Sequence, residues 1–169
     1  AKNGLTSLKN AAGKEMLLQV PKLSLFRAPT DNDRGNGDSN RQAIWHVLSE
    51  HAFMHIEKID VQQGSLTVVC KYSHPLLPNC DIFVTYVCDE ADSVKVTVDY
   101  PGAPNQSDLP AFGLSFQLDA SLKHVDYYGM GPMETYADRC SGAVLGRYHY
   151  EVAENMVPYM KPQECGNRM

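Results

Sequence analysis

Several common signals are missing from this 169-residue sequence, and each absence removes a class of function. No C-x-x-C pair occurs: Cys70, Cys80, Cys88, Cys140 and Cys165 are odd in number and irregularly spaced. That spacing argues against a zinc ribbon or a dithiol redox centre. Free, mostly buried thiols in a reducing compartment are the simplest reading, so a cytoplasmic location is expected. No apolar run approaches the roughly 20 residues of a membrane helix; the longest, such as residues 82–88, are strand-sized. Ala1-Lys2-Asn3-Gly4 is followed by no apolar core, so this stretch carries no signal peptide, although a longer parent could carry one. Like charges are not clustered, and 15 basic against 20 acidic residues leave a net charge of −5. Nucleic acid and anionic membrane are therefore poor partners. There is no G-x-S-x-G, phosphate loop or Cys-His nucleophile pattern. Asn105-Gln106-Ser107 fits a glycosylation sequon, which matters only in a eukaryotic secretory route.

What is present is a period of two. Ser65-Leu66-Thr67-Val68-Val69-Cys70-Lys71-Tyr72 alternates and is rich in β-branched residues, as do residues 82–88 and 93–100. Gln63-Gly64, Pro78-Asn79 and Asp89-Glu90-Ala91-Asp92 supply turn residues before or between these runs, which suggests an antiparallel meander. Residues 112–118 and 125–128 extend the pattern. Residues 5–8, 15–20 and 53–61 are weaker strand candidates. One short helix is expected near 40–49, capped by Ser39-Asn40, with Ala43, Ile44, Val47 and Leu48 on one face and Trp45 beside that stripe. The preceding residues 31–38 are too polar and glycine-rich to suggest regular structure. From Gly129 onward, Pro132, Gly142, Gly146, Pro158, Pro162 and Gly166 suggest an extended, loop-rich tail that stops without a closing strand. A length of 169 residues is enough for one domain with a real core, and residues 1–169 are expected to be a single all-β, mainly antiparallel domain cut from a longer chain.

Chemistry is harder to place. The acids that could serve are Asp31, Asp33, Asp38, Glu134, Asp138 and Glu164. Carboxylates in such loops more often cap turns or pair with arginine, and Arg27, Arg34, Arg139 and Arg168 are near them in sequence. His51 and His55 would share a helix face, but the strand pattern that follows separates them by about 13 Å, too far for one metal ion. Tyr127, Tyr128, Tyr136, Tyr148, Tyr150 and Tyr159 cluster in the last third of the chain. Such rings stack on sugars, yet packing at a sheet edge or interface is the favoured reading.

Three segments carry a family resemblance. Phe26-Arg27-Ala28-Pro29-Thr30-Asp31-Asn32-Asp33-Arg34-Gly35 resembles the R-A-P-x-D-N-D-x-G segment of family 2 β-galactosidases. Tyr128-Gly129-Met130-Gly131-Pro132-Met133-Glu134-Thr135-Tyr136-Ala137-Asp138-Arg139 is similar to their G-x-G-P-x-E-x-Y-x-D-R segment. Pro158-Tyr159-Met160-Lys161-Pro162-Gln163-Glu164-Cys165-Gly166-Asn167-Arg168 resembles P-Y-x-x-P-Q-E-x-G-x-R, with Cys165 where relatives often have Asn. The three follow one another in family order and cover almost the whole chain.

The resemblance implies the N-terminal part of the β-galactosidase small-chain domain, a galactose-mutarotase-like super-sandwich. It implies a non-catalytic role, since the family's catalytic glutamates lie in a barrel that nothing here resembles; Glu134 and Glu164 are not those residues. Asp31, Asn32, Asp33 and Gly35 would border the sugar pocket. Arg27, Glu134, Tyr136, Asp138, Arg139, Gln163, Glu164 and Arg168 would be structural members of the motifs. The implied reaction of the parent is hydrolysis of terminal β-D-galactosides, such as lactose, with retention. The implied partner is the catalytic domain or subunit, with galactoside met through the parent, and an unpaired sheet edge invites self-association. No cofactor is expected on this chain; the Mg and Na ions used by the family would lie outside it. A stand-alone carbohydrate-binding module and an aldose epimerase-like enzyme are the alternatives, and fold alone does not license the second.

Overall fold

A computed structural model describes residues 4–90, 93–136, 138–161 and 163–166. The elements in chain order are β1 (Lys22–Ser24), α1 (Asp31–Gly35), α2 (Asp38–Arg41), α3 (Ala43–His51), β2 (Phe53–Gln62), β3 (Ser65–His74), β4 (Leu77–Asp89), β5 (Val94–Asp99), β6 (Gly113–Ser115), β7 (His124–Gly131) and β8 (Val144–Glu151). The strand pairings are antiparallel, in keeping with the expected all-β class. The chain divides into two compact units: Ala1–Arg27 with Asn36–Leu118, and Ala28–Gly35 with Asp119–Met169.

The first unit is built on a four-stranded sheet in the order β2-β3-β4-β5. Successive side chains on a strand point to opposite faces, and β4 shows it: Cys80, Ile82, Val84 and Tyr86 are buried while Asp81, Phe83 and Thr85 are less so. Tyr72 and Cys70 of β3 lie opposite Ile82 and Val84 and continue the same face. Leu23 of β1, Leu25, and Trp45 and Leu48 of α3 complete this core. Trp45 is fully buried, and its indole N–H donates to the Ser107 carbonyl and hydroxyl, both at 3.1 Å. The sequence pattern put Trp45 beside the helix stripe; with Leu48 it is instead the stripe's centre. The helix itself is divided at Gln42, which precedes α3 without a side-chain cap, so the expected Ser39-Asn40 cap is not what starts it.

Further differences have local causes. Residues 53–61 read weakly as a strand because β2 shifts register against β3 between Ile56 and Lys58. The extra residue, Glu57, breaks the alternation: Ile56 is opposite Cys70, while Ile59 and Val61 are opposite Val68 and Leu66, so all share one side of the sheet, on which Ile59 and Val61 are exposed. The turn before β4 falls at Pro75-Leu76, and Pro78-Asn79 are already within the strand, where Pro78 follows the first residue. Among the described residues β1 pairs only with β6, Gly113–Ser115, so the strand expected over 112–118 is short, and a single bridge joins Leu17 to Leu118. Residues 5–8 form no strand. Of the five free cysteines only Cys70 and Cys80 are buried, and burial raises both thiols above their ordinary range; Cys140 is exposed.

The second unit contains the hairpin β7–β8, in register from His124 opposite Glu151 to Gly131 opposite Val144. The tail was expected to be extended and loop-rich, yet it contributes all of β8. Gly142 and Gly146 obscure an alternation that runs Leu145, Arg147, His149 on one face and Gly146, Tyr148, Tyr150 on the other. Gly131 is required by close approach, because a Cβ there would meet the Tyr127 hydroxyl and lie 2.9 Å from the Tyr148 ring. Tyr127 packs against Tyr148 and Tyr150, with ring centroids 5.3 and 5.9 Å apart.

Candidate functional site

The first motif does not stay a loop. Asp31–Gly35 forms one helical turn, α1, and the reason is a reciprocal cap. The Thr30 N–H donates to Asp33 Oδ2 at 2.7 Å and the Thr30 hydroxyl to the same oxygen at 2.9 Å. The Asp33 N–H donates back to Thr30 Oγ1 at 3.3 Å. This is the capping-box logic with Asp in the third position, and Thr-x-x-Asp was the signal that composition concealed. Asp31 pairs with Arg34 at 3.5 Å, and its N–H donates to the Gln163 side-chain oxygen at 3.0 Å. Asp31, Asn32 and Gly35 are exposed and Asp33 is half-buried. The two glycines of this segment differ: Gly37 sits at φ 72°, while Gly35 closes α1 outside the left-handed region.

The second and third motifs meet at Glu134. β7 ends at Gly131, and the chain then turns so that the Arg139 and Cys140 amides donate to the Tyr136 carbonyl at 2.7 and 2.9 Å. That turn returns Arg139 to Glu134, whose side chain is only 3% exposed. Glu134 Oε2 accepts from Arg139 Nη1 at 2.9 Å and from the Tyr159 hydroxyl; Oε1 accepts from the Gly166 N–H at 2.6 Å. Arg139 also donates to the Tyr159 oxygen and lies 5.1 Å from its ring centre. Partial burial, then the Glu134 acceptor, raises the Tyr159 phenol; donation to Tyr159, with Glu134 adding to it, raises Arg139. A buried carboxylate is costly unless its lone pairs are filled, and here three donors fill them.

Of the other motif residues, Arg27, Tyr136, Gln163 and Glu164 are half-buried and Asp138 is exposed; Arg168 lies outside the described residues. The structure thus joins Glu134 to Arg139 and Asp31 to Gln163. Tyr159 and Gly166, which complete the Glu134 set, carried no signal that tied them to this acid. His51 closes α3 and His55 lies in β2.

A separate cleft of about 480 Å³ lies along β7–β8, lined by Asp126, Tyr127, Tyr128, Arg147, Tyr148 and His149. His149 Nδ1 is 2.9 Å from Asp126, and the Tyr128 ring is exposed.

The chain is an antiparallel, mainly β fold whose motifs are joined by hydrogen bonds, and comparison with known proteins gives the family. The model for "Beta galactosidase small chain" matches residues 1–169, and the chain belongs to that family. It is 40% identical over 157 residues to a β-galactosidase of Lactobacillus delbrueckii subsp. bulgaricus, covering 93% of this chain and 16% of the relative. It is 37% identical over 167 residues to a β-galactosidase of Streptococcus thermophilus, covering 99% and 16%. To a β-galactosidase small subunit of Latilactobacillus sakei it is 30% identical over 179 aligned residues, covering 93% of this chain and 55% of the relative. The chain therefore spans about 16% of the length of the first two relatives. Among the described residues no helix is long and apolar enough to cross a membrane.

Proposed function

We propose that this chain is a non-catalytic part of a β-galactosidase that hydrolyses terminal β-D-galactosides with retention, and that α1 borders the sugar pocket. The observation that carries the non-catalytic reading is the state of Glu134. The buried acid of the motifs has both oxygens occupied by donors of its own chain, which suits a structural anchor and not an acid or nucleophile that must reach a substrate. The relatives' names support the parent reaction, whose carboxyl pair is then supplied by sequence outside this chain. The catalytic domain or subunit is the partner, and the Mg and Na ions of such an enzyme belong to that partner. A cytoplasmic location fits the free, partly exposed thiols.

The test is deletion and return. Removing this segment from the parent should abolish or sharply reduce galactoside hydrolysis, and supplying the segment as a separate chain should restore it. Full activity without the segment would overturn the reading. The β7–β8 cleft favours a second reading, a carbohydrate-binding module, because it sets an exposed tyrosine beside Arg147 and the Asp126–His149 pair. Galactose or lactose that shifts the NMR signals of Tyr128 and His149 in the chain alone would support the module; unmoved signals would leave the structural role.

A further inference from the structure

The buried acid and the pocket-bordering segment are connected through one stretch of chain. Tyr159 and Gly166 are held by the same carboxylate: the Tyr159 hydroxyl and the Gly166 N–H both donate to Glu134. Gly166 is held a second time, because Asn155 Nδ2 donates to its carbonyl at 3.3 Å. Its φ of +90° and the closeness of Asn155, with the Asn155 carbonyl oxygen 3.2 Å from where a Cβ would stand, leave no room for another residue. Between the two fixed points lies Gln163, whose side-chain oxygen accepts the Asp31 N–H at 3.0 Å.

That bond fills a defined gap. The first turn of a helix leaves backbone donors without internal partners. In α1 the Thr30–Asp33 box takes the Thr30 and Asp33 amides, and the Arg34 amide reaches the Thr30 carbonyl at 3.2 Å. The Asp31 amide is met from outside, by Gln163. We infer that Glu134 is the positioning residue of α1: by pinning Tyr159 and Gly166 it holds Gln163 where the Asp31 amide needs an acceptor. The consequence for turnover rests on the reading of α1 as a pocket-bordering segment; the mechanical link does not.

Amide hydrogen exchange on the full chain tests the link. Gln163→Leu should speed exchange at Asp31 by roughly tenfold or more and leave Gly166 nearly unchanged. Glu134→Gln should speed both amides, and the double variant should exchange at Asp31 no faster than the faster single variant, because both act through one bond. The Val84 amide in β4 should keep its wild-type rate throughout. Faster exchange at Gly166 with an unaltered rate at Asp31 in Glu134→Gln would overturn the proposal. If Glu134→Gln does not fold, Tyr159→Phe keeps the carboxylate and removes one anchor; a roughly threefold or greater acceleration at Asp31 is expected, and none would overturn the proposal. Kinetics of the same variants in the parent separate the two ideas. Linked exchange with an unchanged kcat/KM would leave the positioning role standing and sink the pocket-bordering reading.

Discussion

Thr30 and Asp33 cap each other: the Thr30 amide donates to the Asp33 carboxylate at 2.7 Å and the Asp33 amide donates to the Thr30 hydroxyl at 3.3 Å. This pair turns a segment of aspartates, asparagines and glycine into α1, which has no buried residue to hold it by packing. Asp33→Ala should cost about 1 kcal/mol of local stability, the usual loss for a helix cap. Exchange of the amides in 31–35 should accelerate by about the matching factor, while the β3–β4 pairing is unaffected. Equal acceleration in both places would mean that Asp33 supports the whole chain and not one turn.

Gly35 and Gly37 should respond differently to alanine. A Cβ at Gly35 meets nothing within 4 Å and Gly35 lies outside the left-handed region, so alanine fits and favours the helical turn by up to about 1 kcal/mol. Gly37, at φ 72°, should lose roughly 1 kcal/mol on the same change. In the parent, Gly35→Ala should alter kcat and KM for a galactoside while thermal unfolding stays intact. Unaltered constants would make the segment a plain connector.

The first unit should weaken in alkali for a stated reason. Burial pushes the Tyr72 phenol up to about 12 and raises Tyr86 as well, with Tyr72 adding to the effect. The unfolded chain releases these protons near the ordinary value of about 10. Above that pH the unfolded state binds fewer protons than the folded one, so stability falls as pH rises toward the folded value, and below it the contribution is complete. Denaturant unfolding between about pH 9 and pH 11 should show this slope, and Tyr72→Phe should flatten it. A slope indifferent to Tyr72 and Tyr86 would assign alkaline loss elsewhere.

Legibility in the sequence followed how local each cause was. β3, β4 and β5 could be seen because Val68-Cys70-Tyr72 and Cys80-Ile82-Val84-Tyr86 alternate without interruption, one face being covered by Leu23, Leu25, Trp45 and Leu48. β2 was faint because one residue, Glu57, shifts the phase, and a period-two template cannot absorb an insertion. β8 was hidden by glycines that read as punctuation, although Gly146 lies directly opposite Gly129 within the hairpin. α1 was missed by weighing composition above the Thr30–Asp33 spacing. Only one part of the Glu134 node was local: Arg139 lies five residues away and could be read as a nearby arginine, whereas Tyr159 and Gly166 are brought to the same acid by the folded chain. The resemblance supplied the motifs, while the bonds that join them required the structure.

The central claim is that this chain contributes structure and no catalytic carboxylate, and assay of the purified chain tests it most directly. Incubated with a chromogenic β-galactoside, the 169-residue chain is expected to release no chromophore above buffer. Turnover that persists through purification and disappears in Glu134→Gln would contradict the account, because it would place the reacting acid at the node assigned here to holding the fold.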